Sequence, residues 1–247
     1  MRALIIYLVI SAVFIGCTPI LSIDASTQNV YHFSDTDKNI SLLDISETFG
    51  TYDGSFVLYD NNLDSWKIYD LEEATKRIPP ESTYKIYDAL LGLESGIITP
   101  EHSSMTWNGD AFPFPSWEAD QDLNSAMQNS VNWYFQAIDS QLGINRVQEF
   151  LNKIEYGNQT TSSNLDLYWS DFSLKISPLE QVTLLKKFNT NEFHLNFQNV
   201  FSVKNAIKIA STPNGNFYGK TGTGRVNGQD INGWFIGYVE TSDNSYY

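Results

Sequence analysis

Hydrophobic and polar positions divide the chain into three parts. An apolar stretch from Ala3 to Ile15 follows the weakly basic start, and a region rich in Ser, Thr, Asn and Asp extends from Ser26 to Asn39. Regular alternation of apolar and polar positions begins only beyond Leu42. The pattern predicts an export or anchor segment over residues 1–25, a polar linker over 26–41 and a folded domain over 42–247.

The apolar start allows three interpretations. The stretch up to Ile15 has the length of a cleaved signal peptide, and Phe14-Ile15-Gly16-Cys17 resembles the site at which bacterial lipoproteins are cleaved and lipidated on cysteine. Cys17 can equally be a small apolar residue of a signal peptide. Because apolar residues resume at 19–23, an uncleaved anchor of about 20 residues is the third option. All three predict a domain that is extracellular or anchored to the outer face of the bacterial cytoplasmic membrane.

Strand patterns lie at both ends of the predicted domain. Ser55–Tyr59 and Trp66–Tyr69 have the form of a hairpin, and Phe217–Gly222 and Gly233–Val239 flank a turn that contains Gly and Asn. Helical spacing lies between them, with apolar residues recurring after Ser82 and a second helical stretch over about 122–138. The order predicts an α+β fold, in which an antiparallel sheet built from both chain ends carries flanking helices and an inserted helical lobe.

Composition excludes one class of partner. The 247 residues include 15 Lys and Arg against 29 Asp and Glu, which gives a net charge of -14. Nucleic acid binding requires a basic surface, so we expect no nucleic acid partner. With one cysteine the chain cannot form an internal disulfide, and His32, His102 and His194 lack metal-ligand spacing, so no metal site is predicted. The sequence does not predict the oligomeric state.

Three short motifs, in chain order, carry the predicted chemistry. They are Ser82-Thr83-Tyr84-Lys85, Ser130-Val131-Asn132 and Lys220-Thr221-Gly222. Together they match the S-x-x-K, S-x-N and K-T-G set of proteins in which penicillin-like compounds acylate a serine. A serine hydroxyl is a weak nucleophile at neutral pH and needs a base within reach and donors for the oxyanion. The three motifs supply candidates for each of these roles.

The first motif supplies the nucleophile and its base. Ser82 lies at a predicted helix start, where partial positive charge favours an oxyanion, although serine at such a place is most often only an N-cap. Lys85 is the candidate base, either by losing its proton on burial or by adding carbon dioxide to become a carbamate. The alternative for Lys85 is an ordinary exposed helix lysine.

The other two motifs supply proton transfer and substrate binding. We expect Ser130 to pass a proton to the leaving ring nitrogen and Asn132 to hold the substrate's side-chain amide; the alternative is a polar pair at a helix break. Lys220 and Thr221 are expected to bind the substrate carboxylate, with Gly222 leaving room for the ligand along the strand. The backbone N–H of Thr223 is the expected second oxyanion donor. The alternative for this segment is a strand that ends in a turn.

From about Ser46 onward the chain resembles class D serine β-lactamases and the closely similar penicillin-sensor domains of membrane-bound β-lactam receptors. The resemblance also rests on Tyr156-Gly157-Asn158, Tyr168-Trp169 and residues 173–177. It implies the serine β-lactamase/D,D-peptidase-like fold, N6-carboxylation of Lys85 and a role for Trp169 in holding the carbamate, with carbon dioxide as the only added group. It also implies a last strand and a C-terminal helix, which are expected to be missing because the sequence stops at Tyr247.

The resemblance leaves several functions open. The first expectation is a serine β-lactamase that confers β-lactam resistance, using carboxylated Lys85 as general base for hydrolysis of the acyl-enzyme. Class D enzymes usually carry Val where this chain has Asn132, and Asn132 looks more like the sensor domains, in which the acyl-enzyme persists. The runner-up is therefore a penicillin-binding domain that releases its product very slowly. A cell-wall transpeptidase or D,D-peptidase and a decayed, unfolded fragment are further alternatives.

Overall fold

A computed structural model of the protein describes residues 39–247. The predicted export or anchor segment, Cys17 and most of the predicted linker lie outside these residues. The described part begins with a strand at Ile40, two residues ahead of the predicted domain start, and forms one α+β unit. Within residues 39–247, no helix has both the length and the apolar character that crossing a membrane requires.

Strands from both chain ends form a single sheet, as predicted. In chain order they are β1 (Ile40–Leu42), β2 (Phe56–Asp60), β3 (Ser65–Tyr69), β4 (Lys208–Thr212), β5 (Gly215–Val226), β6 (Gln229–Glu240) and β7 (Ser245–Tyr246). Their order across the sheet is β1-β3-β2-β7-β6-β5-β4. The sheet is antiparallel as predicted except at one edge, where β1 pairs with β3 in parallel. Strands β1 and β3 run in the same direction, and β2, which lies between them in the chain, runs opposite to β3.

Most of the helices lie in the middle of the chain, between β3 and β4. They are α1 (Ser46–Phe49), α2 (Leu71–Thr75), α3 (Lys85–Glu94), α4 (Leu123–Gln128), α5 (Asn132–Leu142), α6 (Ile144–Ile154), α7 (Pro178–Asn189) and α8 (Phe197–Ala206). Short 3-10 turns at Glu81–Tyr84 and Pro115–Trp117 precede α3 and α4. The predicted second helical stretch is thus two helices, α4 and α5, with a break at Asn129–Val131.

Local sequence accounts for several boundaries. Helix α7 begins with a capping box, in which Ser177 and Glu180 satisfy each other's backbone N–H groups, and Pro178 occupies its first turn. Helix α6 buries Val147, Leu151 and Ile154, whose spacing places them on one face. The hairpin of β2 and β3 turns at Asn61–Asp64, as the polar residues between the two predicted strands indicate.

Helix α3 is the centre of the core. All of its residues from Lys85 to Leu93 are buried, and its close neighbours are α5 and α8. A helix that is buried on every side is fixed by packing rather than by propensity. The position of the turn that carries Ser82, directly ahead of α3, is therefore determined by the core itself.

Gly157, in the Tyr156-Gly157-Asn158 segment, has φ +51, and a Cβ there would stand 2.0 Å from the carbonyl oxygen of Lys175. We expect Gly157→Ala to lower the free energy of unfolding by at least about 2 kcal/mol, because left-handed strain and a backbone clash add together. Gly96→Ala is the matched control, since Gly96 has φ +70 with nothing within 4 Å. It should cost about 1 kcal/mol in urea denaturation. Equal losses in the two variants would contradict the clash.

Candidate active site

The turn that carries Ser82 is a tight 3-10 turn. Pro79 and Pro80 precede it, and the turn Glu81–Tyr84 leads directly into α3. Neither the turn nor α3 has a side-chain cap. The N-cap alternative for Ser82 is therefore wrong: its hydroxyl instead accepts a hydrogen bond from Lys85 Nζ at 3.0 Å.

Lys85 is fully buried one turn later, so the alternative of an exposed helix lysine is also wrong. Its Nζ donates to Ser82 Oγ and, at 2.7 Å, to Asn132 Oδ1. The rings of Phe135 and Trp169 each lie 5.5 Å from Nζ, measured to the ring centre. The amine thus has two polar partners inside an aromatic enclosure.

Burial changes the protonation of both lysines in the site. Desolvation lowers the pKa of Lys85 to about 7, with repulsion from Lys220 as the next cause. Burial also lowers the pKa of Lys220 to about 8. A neutral Lys85 amine, which can accept the proton of the Ser82 hydroxyl, is consequently present near neutral pH.

Ser130 occupies the break between α4 and α5. It has φ +53, a left-handed conformation that is uncommon for residues other than glycine. Its hydroxyl accepts a hydrogen bond from Lys220 Nζ. Asn132 follows as the first residue of α5 and faces Lys85. The alternative of a polar pair that merely caps the break does not describe these side chains, because each contacts a lysine of another motif.

The third motif lies on β5, where β4 no longer covers it. The pairing of β4 with β5 ends at Tyr218, so the strand edge is open from Lys220 onward. The expected role of Gly222 beside a ligand stays a prediction, but the residue also has a structural role. A Cβ at Gly222 would stand 3.1 Å from Glu81 Cβ and 3.2 Å from Ser82 N, so the absent side chain allows the turn of Ser82 to approach the strand. Thr223 follows, paired with Gly233 of β6.

Trp169 is held by the Tyr156-Gly157-Asn158 segment. Asn158 forms a two-way contact with Lys175, since its N–H donates to the Lys175 carbonyl at 2.9 Å and its Oδ1 accepts from the Lys175 N–H at 2.9 Å. Its amide also donates to the Ser173 carbonyl. These bonds close the loop that carries Trp169, which is 2% exposed.

Sequence reasoning missed two residues of the site, Glu81 and Phe135. Glu81 is 4% exposed, and desolvation raises its pKa to about 7, with Lys85 opposing the shift. Its sequence signal was an acidic residue between Pro80 and Ser82, where a solvated charge is the default interpretation. Phe135 lies on α5 at helical spacing, so it was indistinguishable from an ordinary core residue.

The two layers of the fold therefore meet at a pair of hydrogen-bonded clusters. Lys85 joins Ser82 to Asn132, and Lys220 joins the sheet to Ser130. A sheet with a helical lobe and these three motifs at the seam defines the class of serine β-lactamase/D,D-peptidase-like proteins. Residues 54–247 match the sequence profile described as "Penicillin binding protein transpeptidase domain", and the chain belongs to this family.

Similar proteins of known sequence or structure belong to the same class. The regulatory protein BlaR1 of Bacillus licheniformis is 45% identical over 247 residues, covering 99% of this chain and 40% of that protein. The structure titled "C-terminal domain of the Bacillus licheniformis BlaR penicillin-receptor" superposes with a TM-score of 0.81 at 47% identity, covering 84% of this chain and 85% of the other. The class D β-lactamase BAT-2 gives 0.78 at 35% identity, covering 83% and 85%. The chain spans about 40% of the length of the BlaR1 relative.

Burying Lys85 costs stability in a pH-dependent way. Its pKa of about 7 in the fold is below the value of about 10.4 for a free lysine, so stability rises with pH between these values. We expect Lys85→Met to be more stable than the wild type at pH 6.5, with a difference that shrinks by about 1 kcal/mol or more at pH 9. Urea denaturation at both pH values measures it.

Lys153→Met, an exposed substitution on α6, is the control and should differ from the wild type equally at both pH values. A Lys85→Met difference that does not change with pH would contradict the lowered pKa of Lys85.

Proposed function

We propose that this domain binds penicillin-like β-lactams and is acylated by them at Ser82. The observation that carries the proposal is the 3.0 Å contact between Ser82 Oγ and a buried lysine amine. In the proposed step, Oγ attacks the β-lactam carbonyl and forms an ester, while Lys85 takes the hydroxyl proton. The N–H groups of Ser82 and Thr223 stabilise the oxyanion.

Opening of the ring needs a second proton transfer. Cleavage of the C–N bond leaves the ring nitrogen with an electron pair, and we assign its protonation to Ser130. Lys220, bonded to Ser130, returns a proton to that hydroxyl and, with Thr221, binds the substrate carboxylate. The lowered pKa of Lys220, about 8, supports a role in proton transfer near neutral pH.

The chain's own residues favour slow release of the acyl group. Asn132 Oδ1 accepts a hydrogen bond from Lys85 Nζ at 2.7 Å, which favours the protonated amine over the free base that activation of water needs. A carbamate on Lys85 would supply a stronger base at neutral pH, and a neutral amine among aromatic rings fits its formation. The hydrogen bond to Asn132 opposes formation of the carbamate, because it holds the same nitrogen that would add carbon dioxide. We therefore propose a receptor-like domain in which the acyl-enzyme persists.

Hydrolysis is the second candidate, favoured by the likeness to class D β-lactamases. BAT-2 shares 35% identity and most of the fold with this chain. In this candidate, Lys85 carries a carbamate formed with carbon dioxide and is held beside Trp169. The carbamate activates water, and the domain confers β-lactam resistance. Both candidates place the domain outside the cytoplasmic membrane, as we expect from the export or anchor segment predicted over residues 1–25.

Intact mass spectrometry of the protein mixed with excess penicillin tests acylation. We expect a single adduct of the penicillin mass that forms in the wild type and persists for hours. Ser82→Ala should abolish it, whereas Ser140→Ala, an exposed serine on α5, should leave it unchanged. An adduct that clears while the penicillin is consumed would establish hydrolysis instead. A folded protein without any adduct would refute the assignment of Ser82.

Replacing Asn132 tests the proposed cause of slow release. Asn132→Val removes the acceptor on Lys85, so we expect adduct decay to accelerate roughly tenfold, which corresponds to a hydrogen bond of about 1.4 kcal/mol. Added bicarbonate should accelerate decay further in this variant. Asn152→Val, exposed on α6, is the control and should match the wild type. Decay that is unchanged or slower in Asn132→Val would contradict the role of Asn132.

A further inference from the structure

Glu81 is a buried acid that the proposed chemistry does not use. It directly precedes Ser82, is 4% exposed and has φ +52. Its N–H donates to the carbonyl of Trp169 at 3.0 Å. The left-handed conformation costs a glutamate on the order of 1 kcal/mol, so surrounding contacts hold it in place. The turn that carries the nucleophile therefore depends on what the Glu81 side chain touches.

The side chain of Glu81 runs along β5 beside Thr223. Thr223 is flanked by Gly222 and Gly224, and both glycines face Glu81. A Cβ at Gly222 would stand 3.1 Å from Glu81 Cβ, and one at Gly224 would stand 2.7 Å from Glu81 Oε1. Glu81 thus fills the space between the turn of Ser82 and the strand segment of Thr223, whose N–H groups are the two proposed oxyanion donors.

The carboxyl group of Glu81 faces Asn232. Asn232 lies opposite Gly224 on β6, and a Cβ at Gly224 would stand 1.8 Å from Asn232 Oδ1 and 2.7 Å from Glu81 Oε1, so both oxygens border the same position. Within residues 39–247, no hydrogen-bond donor reaches the buried Asn232 Oδ1. An ionised Glu81 would place two acceptor oxygens at one position, whereas a protonated Glu81 has an O–H that can donate to Asn232 Oδ1.

We propose that Glu81 is a positioning residue: as a neutral acid it donates a hydrogen bond to Asn232 Oδ1 and thereby sets the separation of the Ser82 and Thr223 N–H groups. The inference rests on the proposed acylation of Ser82. It adds a requirement that the acid be protonated when the oxyanion forms, because a carboxylate beside the oxyanion hole would oppose the developing negative charge.

The surroundings of Glu81 determine the pH range in which its side chain is protonated. Burial raises the pKa of Glu81 to about 7, and Lys85 at the start of α3 is the charged group that opposes the shift. The facing groups of β5, β6 and the Trp169 loop are two glycines, Asn232 and a carbonyl, all uncharged. Acylation should thus rise with pH as Lys85 loses its proton and fall as Glu81 ionises.

The rate of penicillin adduct formation between pH 5.5 and 9 tests the proposal. Glu81→Gln keeps a donor for Asn232 without a charge, so we expect wild-type rates within twofold at pH 6 and rates at least threefold above the wild type at pH 8.5. Glu81→Ala loses the contact and should acylate at least tenfold more slowly at both pH values. Glu101→Gln, an exposed change of the same charge, should follow the wild type. A Glu81→Gln profile that falls like the wild type would overturn the proposal.

Titration of the side-chain carboxyl carbons by ¹³C NMR gives a readout that needs no β-lactam. The signal absent from Glu81→Gln should report a neutral acid at pH 6, and Asn232→Ala should lower its midpoint because the neutral form loses its acceptor. A Glu81 that is ionised at pH 5.5, or a midpoint indifferent to Asn232→Ala, would refute the hydrogen bond. A protein that never forms an adduct, but titrates as expected, would refute the acylation proposal and leave the Glu81–Asn232 contact standing.

Discussion

The burial of Lys85 beside Ser82 is the constraint on which the rest of the structure depends. A lysine amine in water is protonated at neutral pH, whereas desolvation by the core lowers the pKa of Lys85 to about 7. That requires α3 to be enclosed on every side, and its close neighbours in this enclosure are α5 and α8. The core is therefore arranged around a polar group that reduces stability.

A second buried charge-bearing group accompanies the first. Glu81 and Lys85 flank the nucleophile, and each shifts the protonation of the other. Burial raises the pKa of Glu81 and lowers that of Lys85, each to about 7, so both groups change charge near neutral pH. Asn232 favours the acid form and Asn132 accepts from the amine. Two asparagines from different layers thus bias the protonation of the site.

Sequence reasoning identified most of the fold because its signals were local. The hairpin of β2 and β3 and the start of α7 follow from turn residues and a capping box, and each motif lies in the kind of element predicted for it. The parallel pairing of β1 and the facing of Gly222 toward Glu81 could not be predicted, because both depend on contacts between distant segments. Glu81 was missed for a related reason. Its burial comes from β5, about 140 residues away in the chain, and no local pattern distinguishes it from a surface acid.

The pairing of β2 with β7 limits the order in which the sheet can form. Tyr59 and Tyr247 exchange backbone hydrogen bonds, and Asp60 lies opposite Tyr246. Strands β1 to β3 come much earlier in the chain than β7, so the β2 edge stays unpaired until β7 has been synthesised. Such long-range closure makes folding slow and exposes an aggregation-prone edge meanwhile. The sheet that packs against the turn of Ser82 therefore closes only after the helices between β3 and β4 have been synthesised.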